Sequence, residues 1–525
     1  MRITKLYIKN YKSIKELTID SLENINVFIG KNDAGKSNII NALDIVLNSN
    51  IQSNGENIEV SYEDELETIY EKELTHILFD KSDREIEITA YIETNSREIN
   101  NLKQEENDQL VISRKIITED NKTRIILNFL RLGKNILIKT PEEKKRFLTK
   151  NNSYSDKLTD CKGKELLEKI SNQLILIPAD RNIVRDPHPS SEKMRVEHYI
   201  KRSLINLANS EEENERRLFK QFSDFIEKIS ALIEHVEPMM YEKKVVDLRF
   251  KTAKGEDIKL STIGGGNNEL LLLLHEIIIS GGRMLAIEEP EIHLHPEAER
   301  KLFRFIKEFS QTTQMFIVTH SPVFVEPYSL KGLFRVVKKG RETKLFYMNE
   351  KDYVDNDRLE QELNTENCEM FFADKVLLVE GISDKIFMEG LIDKYCKSSE
   401  EIKVVSSYSK DNFQVYLRLL KIFKIPYTVM TDLDAIKGRF QIKIIWNELK
   451  KQPNMKDRYE KIAFLKKKGI HVLSKGDLER SYPKQYRRGV SKPLDALYAI
   501  NNLTEEEYLS DRMKDLREVI EALER

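Results

Sequence analysis

Residues 376–381 read Val-Leu-Leu-Val-Glu-Gly, and residues 427–434 read Tyr-Thr-Val-Met-Thr-Asp-Leu-Asp. Each run is a short apolar strand pattern that ends on carboxylates, and α/β proteins place ligands and metals at the carboxyl ends of parallel strands. Residues 402–405 predict another strand, and residues 384–395 and 412–423 predict helices. The resulting β-α-β-α-β order predicts a small parallel sheet with both acidic loops at one edge.

The carboxylates after these strands form a candidate metal site. Glu380 and Asp384 lie about one helical turn apart, so both can face one cleft. Asp432 and Asp434 alternate along one loop and are expected to point the same way. An isolated Asp-x-Asp is more often a solvated loop, but its pairing with Glu380 favours Mg²⁺ or Mn²⁺, which prefer oxygen ligands. Two such ions about 4 Å apart would activate water and stabilise a leaving oxygen.

Two more acids and a lysine follow in a basic stretch of the chain. Asp477 and Glu479 come after a strand pattern, and Lys492 opens a helix pattern. Taken singly, these are ordinary surface charges. Residues 437–492 contain 17 Lys/Arg and five Asp/Glu, a local balance of +12 in a chain whose net charge is −2. Either a lysine-rich solvated surface or a surface that follows nucleic-acid phosphates explains this balance, and its place beside the acids favours the second.

Residues 30–37 read Gly-Lys-Asn-Asp-Ala-Gly-Lys-Ser and match the phosphate-binding pattern GxxxxGK[ST] at every fixed position. A strand pattern precedes this stretch and a helix pattern follows it, which is the context that the motif requires. The glycines let backbone N–H groups surround a phosphate, while Lys36 brings a charge to the β- and γ-phosphates and Ser37 can ligate Mg²⁺. The sequence therefore predicts ATP binding at this loop.

Two later stretches resemble further nucleotide motifs of ABC-type ATPases. An apolar strand pattern leads into Glu288 and Glu289, which resemble the Walker B acid and the catalytic acid that orients water. Glu288 departs from the Asp that many members of that group carry. A strand pattern at 314–319 ends at His320, which matches the switch histidine that senses the γ-phosphate.

The glycine-rich stretch Leu-Ser-Thr-Ile-Gly-Gly-Gly at 260–266 looks like the signature loop of the same group. Three glycines alone are more often a flexible turn, but their position between the two Walker motifs favours the signature loop. In ABC-type ATPases this loop completes the nucleotide site of a second subunit. The resemblance therefore implies a homodimer or a higher homo-oligomer, with Gly264 and Gly266 at the partner's γ-phosphate.

A chain of 525 residues is expected to fold as two or three domains. Four stretches have the lengths and β-branched content of antiparallel strands: 84–94, 109–118, 123–132 and 134–140. They resemble the strand-rich lobe of RecF/SMC-type ATPases. Charged helix patterns, notably over 211–235, predict either a solvated arm or a dimerisation arm. The predicted domains are an N-terminal ATPase part (1–185), a helical insert (186–240), a C-terminal ATPase part (241–365) and the carboxylate domain (366–525).

The composition places further bounds on the protein. Hydrophobic residues at 40% suffice for real cores, and charged residues at 33% predict a well-solvated surface. No apolar run approaches the roughly 20 residues that cross a bilayer, and the N-terminus enters a strand pattern without an apolar signal segment. The three cysteines are too scattered for a zinc site or a disulfide framework. These features predict a cytoplasmic protein with no membrane partner.

The order of motifs along the chain resembles one family. Walker A in the form Asn-x-Ala-Gly-Lys-Ser-Asn occupies 32–38, and Walker B in the form Glu-Glu-Pro-Glu…Leu-His-Pro occupies 288–296. The C-terminal part carries the Val-Glu-Gly…Asp and Asp-x-Asp pattern of a TOPRIM domain. Together they resemble the OLD (overcoming lysogenisation defect) nucleases, which include the Gabija A subunit and retron-associated effectors. The implied fold class is α/β, an ABC-type (RecF/SMC-like) ATPase with an antiparallel strand lobe and a helical dimerisation insert, followed by a TOPRIM domain.

The resemblance implies a role for each matching residue. The expected metal ligands are Glu380, Asp384, Asp432 and Asp434, with Asp477 or Glu479 completing a second ion site and Ser37 holding the ion of the nucleotide. Lys492 resembles the family's C-terminal catalytic lysine, which stabilises charge on the scissile phosphate. The expected catalytic residues are Glu289, Glu380, Asp432, Asp434 and Lys492. The expected ATP-binding residues are Gly30, Asn32, Gly35, Lys36, Ser37, Asn38, Gly264, Gly266, Glu288 and His320.

The leading hypothesis is an endonuclease or nickase of double-stranded DNA, governed by its ATPase and active in bacterial antiphage defence. A RecF-like DNA-repair ATPase that binds DNA without cutting it is the alternative. The resemblance implies a companion protein, either a UvrD-like helicase or a retron reverse transcriptase with its RNA–DNA product. The sequence leaves open the DNA preference, the hydrolysis of ATP, the direction in which ATP regulates cutting and any assembly beyond a dimer.

Overall fold

The computed structural model divides into two compact units. The first comprises residues 1–324 and 331–345, and the second comprises residues 325–330 and 346–525. The described residues are 1–48, 52–54, 57–60, 79, 85–94, 109–119, 122–132, 135–139, 170, 173–179, 196–229, 233–242, 244–252, 254–258, 265–349, 363–408, 412–436, 443–452, 455 and 457–525. Within these ranges, no helix combines the length and the apolar character needed to span a membrane.

The described residues of the first unit form three sheets and five α-helices. Its strands are β1 Arg2–Tyr11, β2 Ile14–Ile19, β3 Ile25–Ile29, β4 Gln52–Asn54, β5 Asn57–Val60, β6 Glu85–Glu93, β7 Leu110–Glu119, β8 Lys122–Leu132, β9 Asn135–Lys139, β10 Leu174–Ile177, β11 His235–Tyr241, β12 Lys244–Lys251, β13 Asp257–Ile258, β14 Met284–Glu288, β15 Met315–Thr319, β16 Leu333–Lys339 and β17 Glu342–Tyr347. Its helices are α1 Lys36–Asn48, α2 Val196–Asn209, α3 Glu213–Ile229, α4 Gly265–Ile279 and α5 Pro296–Phe309.

An antiparallel sheet forms the strand-rich lobe of this unit. Its strands run in the order β2-β1-β6-β7-β8-β5-β4, and β9 also pairs with β8, beyond the part of that strand that β5 contacts. Strand β6 alternates buried isoleucines with more exposed residues, as expected for a sheet that covers a core on one face. The four predicted strand stretches coincide with β6, β7, β8 and β9, so the predicted antiparallel lobe is confirmed.

A six-stranded sheet carries the nucleotide motifs. Its order is β10-β14-β15-β3-β16-β17, and the pairs from β10 to β16 are parallel. The residues of β15 are all buried, which explains its continuous apolar sequence, because both faces of a parallel sheet are covered. The loops that follow β3, β14 and β15 therefore meet at one edge of the sheet.

The helical insert is shorter than its prediction. Helices α2 and α3 are present, but α3 ends at Ile229 and β11 begins at His235, so the helix predicted through His235 is wrong at its C-terminal end. The pairing of this segment with the next strand is the physical reason, because from His235 onward the backbone bonds across to residues 244–251 instead of within a helix. Strand β11 pairs with β12 in a three-stranded sheet, with Val236 opposite Phe250. Residues 186–195 of the predicted insert lie outside the described residues.

The second unit contains a parallel sheet flanked by helices. Its strands are β18 Lys375–Val379, β19 Ile402–Ser406, β20 Tyr427–Thr431 and β21 Ile470–Val472. Its helices are α6 Thr365–Cys368, α7 Ile382–Tyr395, α8 Phe413–Ile422, α9 Lys443–Lys450, α10 Arg458–Lys466, α11 Leu478–Ser481, α12 Lys492–Asn502, α13 Glu505–Leu509 and α14 Lys514–Glu524. The strand order is β19-β18-β20-β21, with every neighbouring pair parallel.

This strand order brings the two acidic loops together. Strands β18 and β20 are neighbours, so Glu380 and Asp432, which follow them directly, lie side by side at one edge. The core beneath includes Leu377, Val379 and Phe387, and helix α12 packs against α7. A Cβ at Gly390 of α7 would lie 2.4 Å from Cγ1 of Ile500, so only glycine allows the two helices to approach this closely.

Candidate functional site

The phosphate-binding loop joins β3 to α1 and depends on its glycines. Gly30 has φ +146° and Gly35 has φ +100°, both in a region that side chains disfavour. A Cβ on Gly30 would lie 2.1 Å from the carbonyl oxygen of Val336. The loop is therefore packed closely against β16, and glycine is required for this close approach.

Lys36 lies at the centre of this site. Its ammonium donates hydrogen bonds to the carbonyls of Gly30 (2.8 Å) and Lys31 (2.9 Å) and lies 3.0 Å from Nε2 of His320. Burial lowers the pKa of Lys36, and nearby acids, Glu289 and Glu291 foremost, oppose that shift. Burial, followed by the Lys36 charge, lowers the pKa of His320, which favours a neutral imidazole that can accept from Lys36.

The acids that follow β14 surround the same lysine. Glu289 has φ +46°, and its N–H donates to the carbonyl of Val318 at 2.7 Å, which fixes the acidic turn to β15. Glu291 accepts a hydrogen bond from the backbone N–H of His320 at 2.6 Å, and burial raises its pKa. Sequence reasoning assigned no role to Glu291, although the Glu-Glu-Pro-Glu motif contained it.

A hydroxyl pair from distant parts of the chain holds the loop from the other side. Thr343 Oγ1 donates to the carbonyl of Ala34 at 2.8 Å and lies 2.7 Å from Ser13 Oγ. Asn38 donates its side-chain amide to Ser13 Oγ at 2.7 Å. Sequence reasoning missed Ser13 and Thr343, and its assignment of Asn38 to the ATP contacts stays a prediction.

The remaining predicted nucleotide residues differ in their exposure. Asn32 and Ser37 are exposed at the loop, and Glu288 ends β14 half-buried. Gly266 lies in the first turn of α4, whereas Gly264 falls outside the described residues. The structure thus brings Lys36, His320 and the Walker B acids together at one sheet edge.

Three carboxylates converge at the edge of the second unit's sheet. Glu380, Asp432 and Asp434 each offer a carboxylate oxygen, and these oxygens all lie within 4.8 Å of one another. Glu380 is fixed by hydrogen bonds from the Thr431 hydroxyl and from the backbone N–H of Asp432, the latter at 3.1 Å. Asp434 is exposed in the 3-10 turn Leu433–Ile436.

The electrostatics of this cluster fit a divalent cation. Burial, followed by the charges of Glu380 and Asp384, raises the pKa of Asp432 to about 8. Burial likewise raises the pKa of Asp384 to about 7, although its carboxylate accepts from the N–H of Gly381 at 2.9 Å. Crowded carboxylates at the end of a sheet are the donors that hard divalent ions prefer, and such an ion would neutralise their repulsion.

The other predicted acids flank the cluster. Asp477 caps α11 by accepting from the N–H of Arg480 at 3.1 Å, and Glu479 lies 3.0 Å from Lys492 Nζ. The hydrogen bond to Glu479 raises the pKa of Lys492, with smaller contributions from the charges of Asp477 and Asp432. In the described part of the chain, Asp384, Asp477 and Glu479 lie outside the three-carboxylate group.

Comparisons with known proteins agree with the division of the chain into two units. Residues 1–325 match the family model "AAA ATPase domain", and residues 371–434 match "Overcoming lysogenization defect protein-like, TOPRIM domain". The chain belongs to this AAA ATPase domain family and carries an OLD-like TOPRIM domain. Domains of these two kinds generally use ATP and a divalent metal ion.

Three relatives illustrate the similarity. An OLD nuclease from Thermus scotoductus is 33% identical over 28% of this chain, and the match spans 30% of the relative's length. An ATP/GTP phosphatase from Helicobacter pylori is 25% identical over 71% of this chain and 98% of its own. An endonuclease GajA from Bacillus cereus strain VD045 is 23% identical over 83% of this chain and 75% of its own. These relatives and the two domains confirm the resemblance to the OLD family and the predicted fold class.

Proposed function

We propose that this chain is a metal-dependent endonuclease that nicks or cuts double-stranded DNA, with cutting governed by nucleotide in its ATPase domain. The convergence of Glu380, Asp432 and Asp434 at one sheet edge carries the proposal. Like charges so close together are costly unless a cation joins them, which supports metal chemistry at this edge. Relatives named OLD nuclease and endonuclease GajA support DNA cutting as that chemistry.

Each residue of the cluster has a proposed part in phosphodiester hydrolysis. Glu380, Asp432 and Asp434 hold Mg²⁺ or Mn²⁺, with Asp384 and one of Asp477 and Glu479 as further ligands. When bound, the ions supply an activated water and stabilise charge on the leaving 3′ oxygen. Thr431 keeps the Glu380 carboxylate in its orientation.

Lys492 is proposed to act on the substrate rather than on the metal. Its ammonium lies beside the acids, is paired with Glu479 and keeps a largely exposed side chain. A fixed positive charge at this position stabilises the negative charge that develops on the scissile phosphate. The basic stretch 437–492 supplies further lysines for the flanking phosphates.

For the first unit, we propose ATP bound at the phosphate loop. Lys36 contacts the β- and γ-phosphates, Ser37 holds Mg²⁺, and His320 senses the γ-phosphate. Glu289 orients the water that attacks the γ-phosphate, and the relative named ATP/GTP phosphatase supports hydrolysis. The glycines at 264 and 266 complete the site of a second copy, so the working form is a homodimer or a higher homo-oligomer.

The regulation and biological setting follow from the Gabija-like resemblance. Bound ATP restrains cutting, and loss of nucleotide during phage infection releases it, which makes the chain an antiphage effector. A UvrD-like helicase or a retron reverse transcriptase with its RNA–DNA product is the companion. The genes beside this one distinguish the two companions directly.

A plasmid assay tests the proposed activity. Supercoiled DNA is incubated with the full chain and Mg²⁺ or Mn²⁺, with and without ATP, and nicked and linear products are measured. Asp432→Asn should abolish cutting, and Lys36→Ala should remove the effect of ATP. The exposed Asp393 of α7 provides a matched control, because Asp393→Asn changes one charge away from the cluster. Undiminished cutting by Asp432→Asn would refute the site, and ATP-dependent binding without scission would favour the RecF-like alternative.

A further inference from the structure

The helices α9 and α10 expose two aromatic rings within the basic stretch. Trp446 is 44% exposed and Tyr459 is 58% exposed, which is unusual for side chains with so much apolar surface. Each ring has a cation over its face, Lys450 Nζ at 4.6 Å from the Trp446 centroid and the Arg458 guanidinium at 4.6 Å from that of Tyr459. The two helices contact each other, so the two ring–cation pairs lie on neighbouring elements.

The charges around the rings are predominantly positive. Among the described residues of α9, α10 and the segments next to them, the basic side chains are Lys450, Lys451, Arg458, Lys461, Lys466, Lys467 and Lys468, and the acidic ones are Glu448, Asp457 and Glu460. Some of this charge is compensated, since Lys451 lies 2.5 Å from Glu448 and Lys466 lies 2.8 Å from Glu518. The surface nevertheless keeps an excess of cations beside its two exposed rings.

We propose that this aromatic–basic surface binds an unpaired DNA strand. Bases of a duplex stack on one another, so their faces are hidden, whereas an unpaired base offers its π-face to an aromatic ring. Lysine and arginine beside the rings match the phosphates of the same strand. A duplex alone would need only the cations and would make no use of the exposed surface of Trp446 and Tyr459.

The position of α9 links this surface to the metal site. Helix α9 contacts the 3-10 turn Leu433–Ile436, which carries Asp434 of the carboxylate cluster. An eight-residue helix is about 12 Å long, so Trp446 lies within a short distance of that turn. An unpaired strand held at Trp446 therefore comes from DNA at the cutting site. The inference rests on the proposed nuclease function and adds that the substrate is locally unpaired there.

Trp446 itself reports on binding, because it is the only tryptophan in the chain. The full chain is kept in EDTA to prevent cutting and is titrated with a 30-nucleotide oligo(dT) and, separately, with a duplex of equal length. Saturable quenching of the Trp446 fluorescence by oligo(dT), at lower concentration than by duplex, is the expected result. Equal quenching by both DNAs, or none by either, would overturn the proposal.

Variants of the two rings test whether bases stack on them. Tyr459→Ala should weaken oligo(dT) binding about 10-fold, whereas Tyr459→Phe retains the ring and should bind as the wild type does. Trp446→Phe is followed by anisotropy of a labelled oligo(dT), since it lacks the reporter. Tyr241→Ala, which removes an exposed tyrosine of β11, serves as the matched control. Equal affinity of Tyr459→Ala and wild type would contradict stacking.

The experiments distinguish failure of this proposal from failure of the nuclease proposal. Plasmid cutting that requires Asp432 but persists without any oligo(dT) binding would overturn the unpaired-strand surface and leave the nuclease intact. Without DNA, a shift of the Trp446 emission maximum on raising the protein concentration would show that a second copy covers the surface. This too would overturn the proposal.

Discussion

Lys492 Nζ lies 3.0 Å from a carboxylate oxygen of Glu479, while its side chain remains 71% exposed. An exposed ion pair contributes little to folding stability, about 0–1 kcal/mol. The pair instead keeps a cation beside the acids that follow β20 and β21. Its importance is expected to show in catalysis rather than in stability.

Replacing Lys492 should therefore separate these two properties. Lys492→Ala is expected to slow plasmid cutting by about 100-fold, because a charge that stabilises the phosphate transition state is lost. Lys492→Arg should retain part of the rate, and the melting temperature of both variants should stay near that of wild type. The exposed Lys484 offers a control, since Lys484→Ala removes a lysine from the same basic stretch. Equal rates for the two alanine variants would argue against a role for Lys492 in the reaction.

Because the pKa of Asp432 is raised, replacing this acid by a neutral residue should stabilise the metal-free protein, and the gain should depend on pH. Its pKa rises from 3.8 to about 8 in the fold, so the metal-free protein loses stability as the pH rises from about 4 to about 8. Asp432→Asn should therefore melt a few degrees higher than wild type at pH 9 in EDTA, and no higher at pH 4. Thermal melts at both pH values, with Asp393→Asn as the control, measure this difference.

Divalent ions should reverse the order of the melting temperatures of wild type and Asp432→Asn. Mg²⁺ or Mn²⁺ added at pH 8 should raise the melting temperature of wild type and leave that of Asp432→Asn nearly unchanged, because a ligand stabilises only the state that binds it. A metal-induced shift of equal size in both proteins would exclude Asp432 from the ion site.

The hydroxyl of Thr431 should affect metal affinity more than folding. Thr431→Val removes the hydrogen bond that orients Glu380, and loss of a partner to a metal ligand typically costs about 10–100-fold in affinity. Mn²⁺ titration by calorimetry should show this loss, whereas Thr431→Ser, which keeps a hydroxyl, should bind as wild type does. Unaltered affinity in the valine variant would mean that Glu380 needs no such support.

Thr343 should act on the nucleotide site from a distance in sequence. Thr343→Val removes the hydrogen bond to the carbonyl of Ala34, and we expect ATP-analogue binding to weaken several-fold. Thr343→Ser retains the donor and provides the control. Identical analogue affinities for Val and Ser variants would show that the loop does not depend on this bond.

Sequence reasoning identified residues that lie in short motifs next to a strand in the sequence. Glu289 and Glu380 each follow a buried strand directly, and Lys36 begins α1 after the short loop that follows β3, so each motif is read together with its strand from a few neighbouring residues. It missed Thr343, because the carbonyl that Thr343 binds is 309 positions earlier in the chain. It also extended a helix to His235, since the amphipathic charge pattern does not reveal the pairing of β11 with β12 that places this residue in a strand.

Three of the predicted carboxylates form one close group, and the other predicted ligands, Asp384, Asp477 and Glu479, flank it. Strand order alone places Glu380 beside Asp432, and the sequence pattern was sufficient for that. The place of Asp384 depends on its hydrogen bond to Gly381 at the start of α7, and that of Glu479 on its pairing with Lys492. Such side-chain pairings arise from tertiary packing, which a strand–helix pattern does not encode.

The strands β16 and β17 determine where the ATPase can be separated from the rest of the chain. The matched ATPase family model ends at residue 325, yet β16 pairs with β3 through Leu333 and Val27, and β17 carries Thr343. A fragment ending at 325 would leave β3 as an open, aggregation-prone sheet edge directly before the phosphate loop. An ATPase fragment intended for expression should therefore extend at least to Tyr347.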